Sequence, residues 1–204
     1  MSTALIIFAK APVAGFAKTR LIPALGAQGA AALAHKLLDH AVTQALAASC
    51  DQVDLCATPD ATHPAFQRLA AHSQGKLQLS LQGEGDLGQR MDRALTKALR
   101  HHGRAIVIGT DAPQLDACAI EAAAQALSDH DAVFVPALDG GYALIGLTRA
   151  HPYLFTDMPW STPQVMVETR SRAKQAGLRW KELAPVADID EPVDLVHVPA
   201  GWLL

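Results

Sequence analysis

From residue 4 to residue 183, short apolar runs alternate with stretches of helical period. Nothing else in the chain restricts its fold as tightly. Ala4 to Phe8, Gln52 to Thr58, Lys76 to Leu81, Ala105 to Gly109, Ala132 to Pro136, Tyr142 to Leu147 and Leu178 to Leu183 read as strands. Ala-Ile-Val-Ile-Gly at 105–109 is a continuous apolar run, as in a strand covered on both faces of a parallel sheet. Leu33, Leu37, Leu38, Ala41, Val42, Ala45 and Leu46 recur at three- and four-residue steps and predict a long amphipathic helix. Thr62 to His72, Leu87 to His102 and Asp116 to Ser128 predict three more. Ser161-Thr162-Pro163 reads as a hydroxyl cap followed by proline in a first turn, with Gly177 as that helix's stop. Strands connected through helices predict a three-layer α/β/α domain with a mostly parallel sheet. Pro136 and Tyr142 are too close for a crossover helix, so one antiparallel strand is expected.

The 204 residues contain no repeat or linker and correspond to one domain. The net charge of -3 excludes a generally basic, nucleic-acid-binding surface, though not a local basic pocket. No apolar run reaches the roughly 18 residues of a membrane span, and the N-terminus lacks a signal-peptide pattern. The three cysteines have no CxxC spacing and read as thiols in a reducing cytoplasm. A monomer or homodimer is expected.

Four segments can carry chemistry. The loop after the first strand holds Lys10, Gly15, Lys18 and Arg20, and a loop at the carboxyl end of a first parallel strand is where open α/β sheets bind ligands. Its cations suit a phosphate or diphosphate. Gly109-Thr-Asp-Ala-Pro113 puts Asp111 at the end of the buried strand, as an oxygen ligand for Mg²⁺ or Mn²⁺ or as a turn or helix cap. In Asp188-Ile-Asp190-Glu191-Pro192 the two aspartates share a side if extended. Either completes a metal site with Asp111, Asp190 foremost, or the segment caps a helix over 192–196. Asp139-Gly140-Gly141-Tyr142 is a turn between strands whose Asp139 can meet a sugar or acceptor hydroxyl, or serve the turn alone. A weaker signal is Gln82-Gly-Glu-Gly-Asp-Leu-Gly88-Gln-Arg90, a glycine cradle for base or ribose with Arg90 as an anion contact.

Two motifs are absent. Gly15-Phe-Ala-Lys18-Thr19 lacks P-loop spacing, and no G-x-S-x-G elbow supports a hydrolase triad. The missing glycine fingerprint also disfavours a dinucleotide oxidoreductase.

In order along the chain come Phe8-Ala9-Lys10-Ala-Pro12, then Gly15, Lys18, Thr19, Arg20 and Leu21. Gly85-Asp86-Leu-Gly88 with Arg90-Met91 follows, then Gly109-Thr-Asp-Ala-Pro113, Asp139-Gly-Gly-Tyr142 and Asp188-Ile-Asp190. In this order the chain resembles the DUF2064 family of GT-A-like proteins, often described as glycosyltransferases. More distantly it is similar to the molybdenum-cofactor and phospholactate guanylyltransferases. The resemblance implies a Rossmann-like sheet of nucleotide-diphospho-sugar transferase type. It implies a nucleotide or nucleotide-sugar donor held by Phe8, Ala9, Lys10, Gly15, Lys18, Arg20, Gly85, Asp86, Gly88 and Arg90. Asp111 and Asp190 would hold Mg²⁺ or Mn²⁺, and Asp139, Gly140, Gly141 and Tyr142 would face a small-molecule acceptor or sugar, with Asp111 and Asp139 as catalytic residues. The chain departs from the GT-A Asp-x-Asp pattern: Ala112-Pro113 follows Asp111, which is closer to the guanylyltransferases.

Overall fold

The computed structural model describes residues 1–203. Seven strands form one sheet: β1 (Thr3–Lys10), β2 (Gln52–Thr58), β3 (Leu77–Leu81), β4 (Arg104–Ile108), β5 (Ala132–Pro136), β6 (Tyr142–Leu147) and β7 (Trp180–Glu182). Their order across the sheet is β3-β2-β1-β4-β6-β5-β7. All neighbours are parallel except β6, which runs antiparallel to both β4 and β5. The expected antiparallel strand is therefore present, for the expected reason: a short turn cannot reverse the chain into a parallel partner.

Side-chain alternation divides β1 between two cores. Leu5, Ile7 and Ala9 face one helical layer, built from α1 (Ile22–Ala47), α2 (Pro64–His72) and α4 (Ala117–Ala126). Ala4 and Ile6 face the other, built from α3 (Leu87–Leu99) and α5 (Val165–Gln175). Each buried aliphatic side chain contributes on the order of 1.5–3 kcal/mol, so a one-residue slip of β1 would forfeit both layers at once. The three-layer α/β/α prediction holds.

Several boundaries differ from the sequence reading. β1 continues past Phe8 to Lys10, whose exposed side chain lies beyond the cores. The first long helix starts at Ile22, eleven residues before Leu33. Gly26, at φ 70°, kinks it and breaks the hydrophobic period there. The helix expected from Pro163 starts at Val165, because Ser161 is left-handed at φ 61° and delays it. Thr162 Oγ1 accepts from the Gln164 N–H at 3.3 Å. The last strand shrinks to Trp180–Glu182, and residues 192–197 form a 3-10 helix.

Candidate functional site

Parallel strands β1 and β4 end at the same edge of the sheet. Because β6 is antiparallel, it begins there: the Gly109 N–H donates to the Ala143 carbonyl at 3.1 Å. The turn 137–141 opens on this edge too. So does segment 186–190, tied in by the Ala137–Val186 bridge, by Ile189 N–H to the Asp111 carbonyl (2.8 Å) and by Ala187 N–H to Gln114 Oε1 (3.0 Å). A cleft of about 620 Å³ lies over this edge.

Lys10, Lys18, Arg20, Asp111, Asp139, Tyr142, Asp188 and Asp190 all line the cleft. Loops separated by up to 170 residues thus meet as the sequence suggested. Ile189, wholly buried against Leu21, Leu33 and Leu37, anchors its segment between Asp188 and Asp190. Alternation then leaves both carboxylates on the cleft side.

The arrangement of charge was not expected. Cations and carboxylates neutralise each other. Lys18 Nζ is 2.8 Å from Asp111 Oδ1 and 3.7 Å from Asp190 Oδ1. Arg20 Nη1 is 2.6 Å from the other oxygen, Asp190 Oδ2. Lys10 Nζ donates to the Phe16 carbonyl at 2.8 Å. Lys18 is the buried member, only 7 % exposed, and its Nζ makes no well-aimed hydrogen bond despite its short ion-pair distance. Its backbone is left-handed, at φ 48°. A non-glycine residue holds that conformation at a cost of about 1–2 kcal/mol.

The capping alternatives resolve individually. Asp116 caps α4, accepting from the Ala119 N–H at 2.8 Å, so Asp111 is not that helix's cap. Glu191 caps the 192–197 turn, leaving the Asp190 side chain to its ion pairs. Asp139 does serve its turn: Oδ1 accepts from the Gly141 N–H at 2.8 Å, while the residue also borders the cleft.

Asp188 lies where carboxylates converge. Desolvation first, then the charges of Asp139, Asp194 and Asp111, push its carboxyl up to about 6. A carboxyl raised above its unfolded value stabilises the fold when protonated. That contribution is complete below about pH 4 and is lost as pH rises through about 6. Asp188→Asn is therefore expected to raise the melting temperature at pH 7.5 by roughly 3 °C, about 1 kcal/mol after allowing for solvent screening. The gain should vanish at pH 4. A pH-independent effect in thermal melts would refute this account.

Tyr142 is half-buried at the cleft, and desolvation drives its phenol far above the usual range. It stays neutral at physiological pH and is not a base. It packs edge-on to Trp160, ring centroids 6.3 Å apart. Trp160 and Phe16, which is 68 % exposed at the first loop, both border the cleft. Neither is marked by charge or periodicity; Phe16 is visible only as an aromatic inside a glycine- and lysine-bearing loop.

Seven expected contact residues fall outside the cleft lining: Ala9, Gly15, Gly85, Asp86, Gly88, Arg90 and Gly140. Ala9 gives its carbonyl to Gln82 Nε2 at 3.4 Å, and Gly15 turns the loop at φ 82°. Asp86 caps α3 in a reciprocal box with Gln89, and Arg90 Nε donates to the Gly85 carbonyl at 2.7 Å. A side chain at Gly88 would run into the Phe155 carbonyl and the Trp160 ring. The glycine cradle thus builds the cleft wall, which Gln82, Leu87 and Met91 line. Asp86→Ala should cost about 1 kcal/mol of stability, with ligand affinity unchanged within twofold. Denaturant melts and ligand titration would check both parts.

Asp111 and Asp190 present hard oxygens to one cation position, marked by Lys18 Nζ. That suits Mg²⁺ or Mn²⁺, which take one or two carboxylates and complete their shell with water and substrate phosphate. Among the described residues, no three His, Cys, Asp or Glu side chains group to hold a metal alone. No helix among the described residues is long and apolar enough to cross a membrane.

A family model described as an uncharacterized protein conserved in bacteria (DUF2064) matches residues 37–162. This span includes Asp111 and Asp139 but neither the first loop nor Asp190. No curated protein matches the chain. Among solved structures, a candidate nucleotide-diphospho-sugar transferase from Desulfovibrio desulfuricans G20 is 29% identical with TM-score 0.87, over 96% of this chain and 85% of that one. CMP:2-keto-3-deoxy-manno-octonic acid synthetase complexed with CTP is 13% identical with TM-score 0.60, over 97% and 96%. A nucleotidyl transferase from Methanothermobacter is 12% identical with TM-score 0.61, over 99% and 98%. The last two likenesses establish the fold alone.

Proposed function

The chain belongs to the DUF2064 family, and from that membership and the charges of its cleft we propose that it is a transferase using a nucleotide or nucleotide-sugar donor. One observation carries the reading: Lys18, Arg20, Asp111 and Asp190, from loops far apart in the chain, converge in one cleft at the carboxyl end of β1 and β4. Lys18 Nζ has a single carboxylate oxygen at 2.8 Å, and phosphate oxygens would offer acceptors to its remaining N–H donors. The structural likeness to the Desulfovibrio protein supports the donor class.

Lys18 and Arg20 hold the donor's phosphates, and Asp111 and Asp190 hold Mg²⁺ or Mn²⁺. The ion supplies charge stabilisation to the phosphate oxygens. The small-molecule acceptor enters beside Asp139, whose turn places a carboxylate on that side to take a proton. Tyr142 and Trp160 enclose the same end and exclude water. The favoured reaction is glycosyl transfer, in which an acceptor oxygen or nitrogen attacks the anomeric carbon and nucleoside diphosphate leaves. The sequence Asp111-Ala112-Pro113 supports a second version, in which an acceptor phosphate attacks the α-phosphorus and pyrophosphate leaves. Three free thiols fit a reducing cytoplasm.

Product analysis with labelled donors and candidate acceptors tests the reading. Release of nucleoside diphosphate together with a glycosylated product is the expected result. Pyrophosphate release would select the nucleotidyl version, and the absence of turnover with both donor classes would defeat both.

A further inference from the structure

Lys18 Nζ lies where an ion held by both Asp111 and Asp190 would lie. Nζ is 2.8 Å from Asp111 Oδ1 and 3.7 Å from Asp190 Oδ1, the two oxygens that would coordinate an ion. Arg20 is not in the way, because it pairs with the outward oxygen, Asp190 Oδ2, and is itself more than half exposed. An ammonium and a divalent cation cannot share that point, and like charges that close repel strongly.

We infer that Lys18 is a cation placeholder: its ammonium holds Asp111 and Asp190 together in the ligand-free protein and vacates the position when phosphate draws it away, so metal and nucleotide bind in synergy. This inference takes both its metal seat and its phosphate from the transferase reading above.

Three features make the exchange physically reasonable. The ammonium's contact with Asp111 is short, but no hydrogen bond is well aimed, so its three N–H donors gain from moving to phosphate oxygens. Lys18 sits left-handed at the entrance to the 3-10 turn Thr19–Leu21, a strained conformation that a shift can relieve. The backbone that carries the two carboxylates has anchors of its own. The Asp111 carbonyl accepts from Ile189 N–H, and the Asp190 N–H donates to Asp194 Oδ2 at 3.0 Å. The two anchors preserve the ion's seat while the lysine leaves. The ammonium between them also explains how two carboxylates can share one side of the cleft.

By linkage, the factor by which nucleotide raises metal affinity equals the factor by which metal raises nucleotide affinity. In the nucleotide-free protein, the lysine competes with the ion and metal binding is weak. Removing only the charge should release the site.

The test is Mn²⁺ titration of nucleotide-free protein, followed by the paramagnetic resonance of the free ion. The proteins are wild type, Lys18→Met, Lys18→Gln and Lys18→Met with Asp111→Asn, each checked for folding by circular dichroism. Lys18→Met and Lys18→Gln should bind one Mn²⁺ at least tenfold more tightly than wild type. Asp111→Asn should abolish that gain. A smaller gain in both single variants overturns the placeholder, as does tight binding that survives Asp111→Asn. Nucleoside diphosphate is titrated separately, without metal. Failure to bind it would defeat the transferase reading, while the Mn²⁺ result alone still decides the placeholder.

Discussion

Asp111→Asn should lower donor turnover by at least about 10²–10³-fold, the scale on which removing one charge-stabilising group acts. The substitution keeps the size of the side chain and alters no backbone contact. Asp111's structural bond is the one its carbonyl accepts from Ile189 N–H, and asparagine retains it. The amide would still take the Thr110 hydroxyl bond now made at 3.2 Å. What is lost is a negative charge facing a buried ammonium. Lys18 would keep only the more distant Asp190, so stability should fall by about 1 kcal/mol, limited by solvent at the half-exposed aspartate. Steady-state turnover and thermal melts separate the two effects. Retained turnover would remove Asp111 from the chemistry, and lost turnover with a collapsed fold would make its role structural.

Gly140→Ala should cost about 3 kcal/mol or more and lower the melting temperature by roughly 6–12 °C. Gly140 is at φ 93°, which a side chain rarely tolerates. A Cβ there would also strike the Pro163 carbonyl and come within 2.6 Å of Pro163 Cα and 2.8 Å of its carbonyl carbon. All three are backbone atoms, so no rotamer change relieves the clash. The Gly140 carbonyl also accepts from Met166 N–H at 2.8 Å, in the first turn of α5. The turn that presents Asp139 is thereby stitched to the helix behind the cleft wall. The variant should lose stability and acceptor binding together; a melting temperature within 2 °C of wild type would show that the close approach is not required.

The order of elements was legible because each strand is a short apolar run and each long helix keeps its period. Boundaries failed where a single residue overrode the pattern. Gly26 breaks the period inside α1, so its first eleven residues carry no amphipathic signal. Ser161 takes a left-handed conformation that delays α5 despite a good capping sequence. The cleft was legible in Lys10, Lys18, Arg20, Asp111, Asp139 and Asp190 because strand ends converge on one edge of such a sheet. The pairing of those charges was not. Arg20 and Asp190 are 170 residues apart, and no local spacing relates them. Asp188 was visible beside Asp190, but its crowding by Asp139, Asp194 and Asp111 depends on three separate segments. Glycines 85 and 88 read as a ligand cradle because glycine permits close approach of anything. Here Gly88 admits the Trp160 ring.

The central claim is that the cleft holds a nucleotide by its phosphates through Lys18 and Arg20. The most direct test is calorimetric titration with uridine, guanosine and cytidine diphosphates in the presence of Mn²⁺. At least one should bind wild type at a single site. Arg20→Ala, which removes a side chain more than half exposed, should weaken it by about tenfold with little change in melting temperature. Failure of all three to bind, or equal affinity in the variant, would contradict the account.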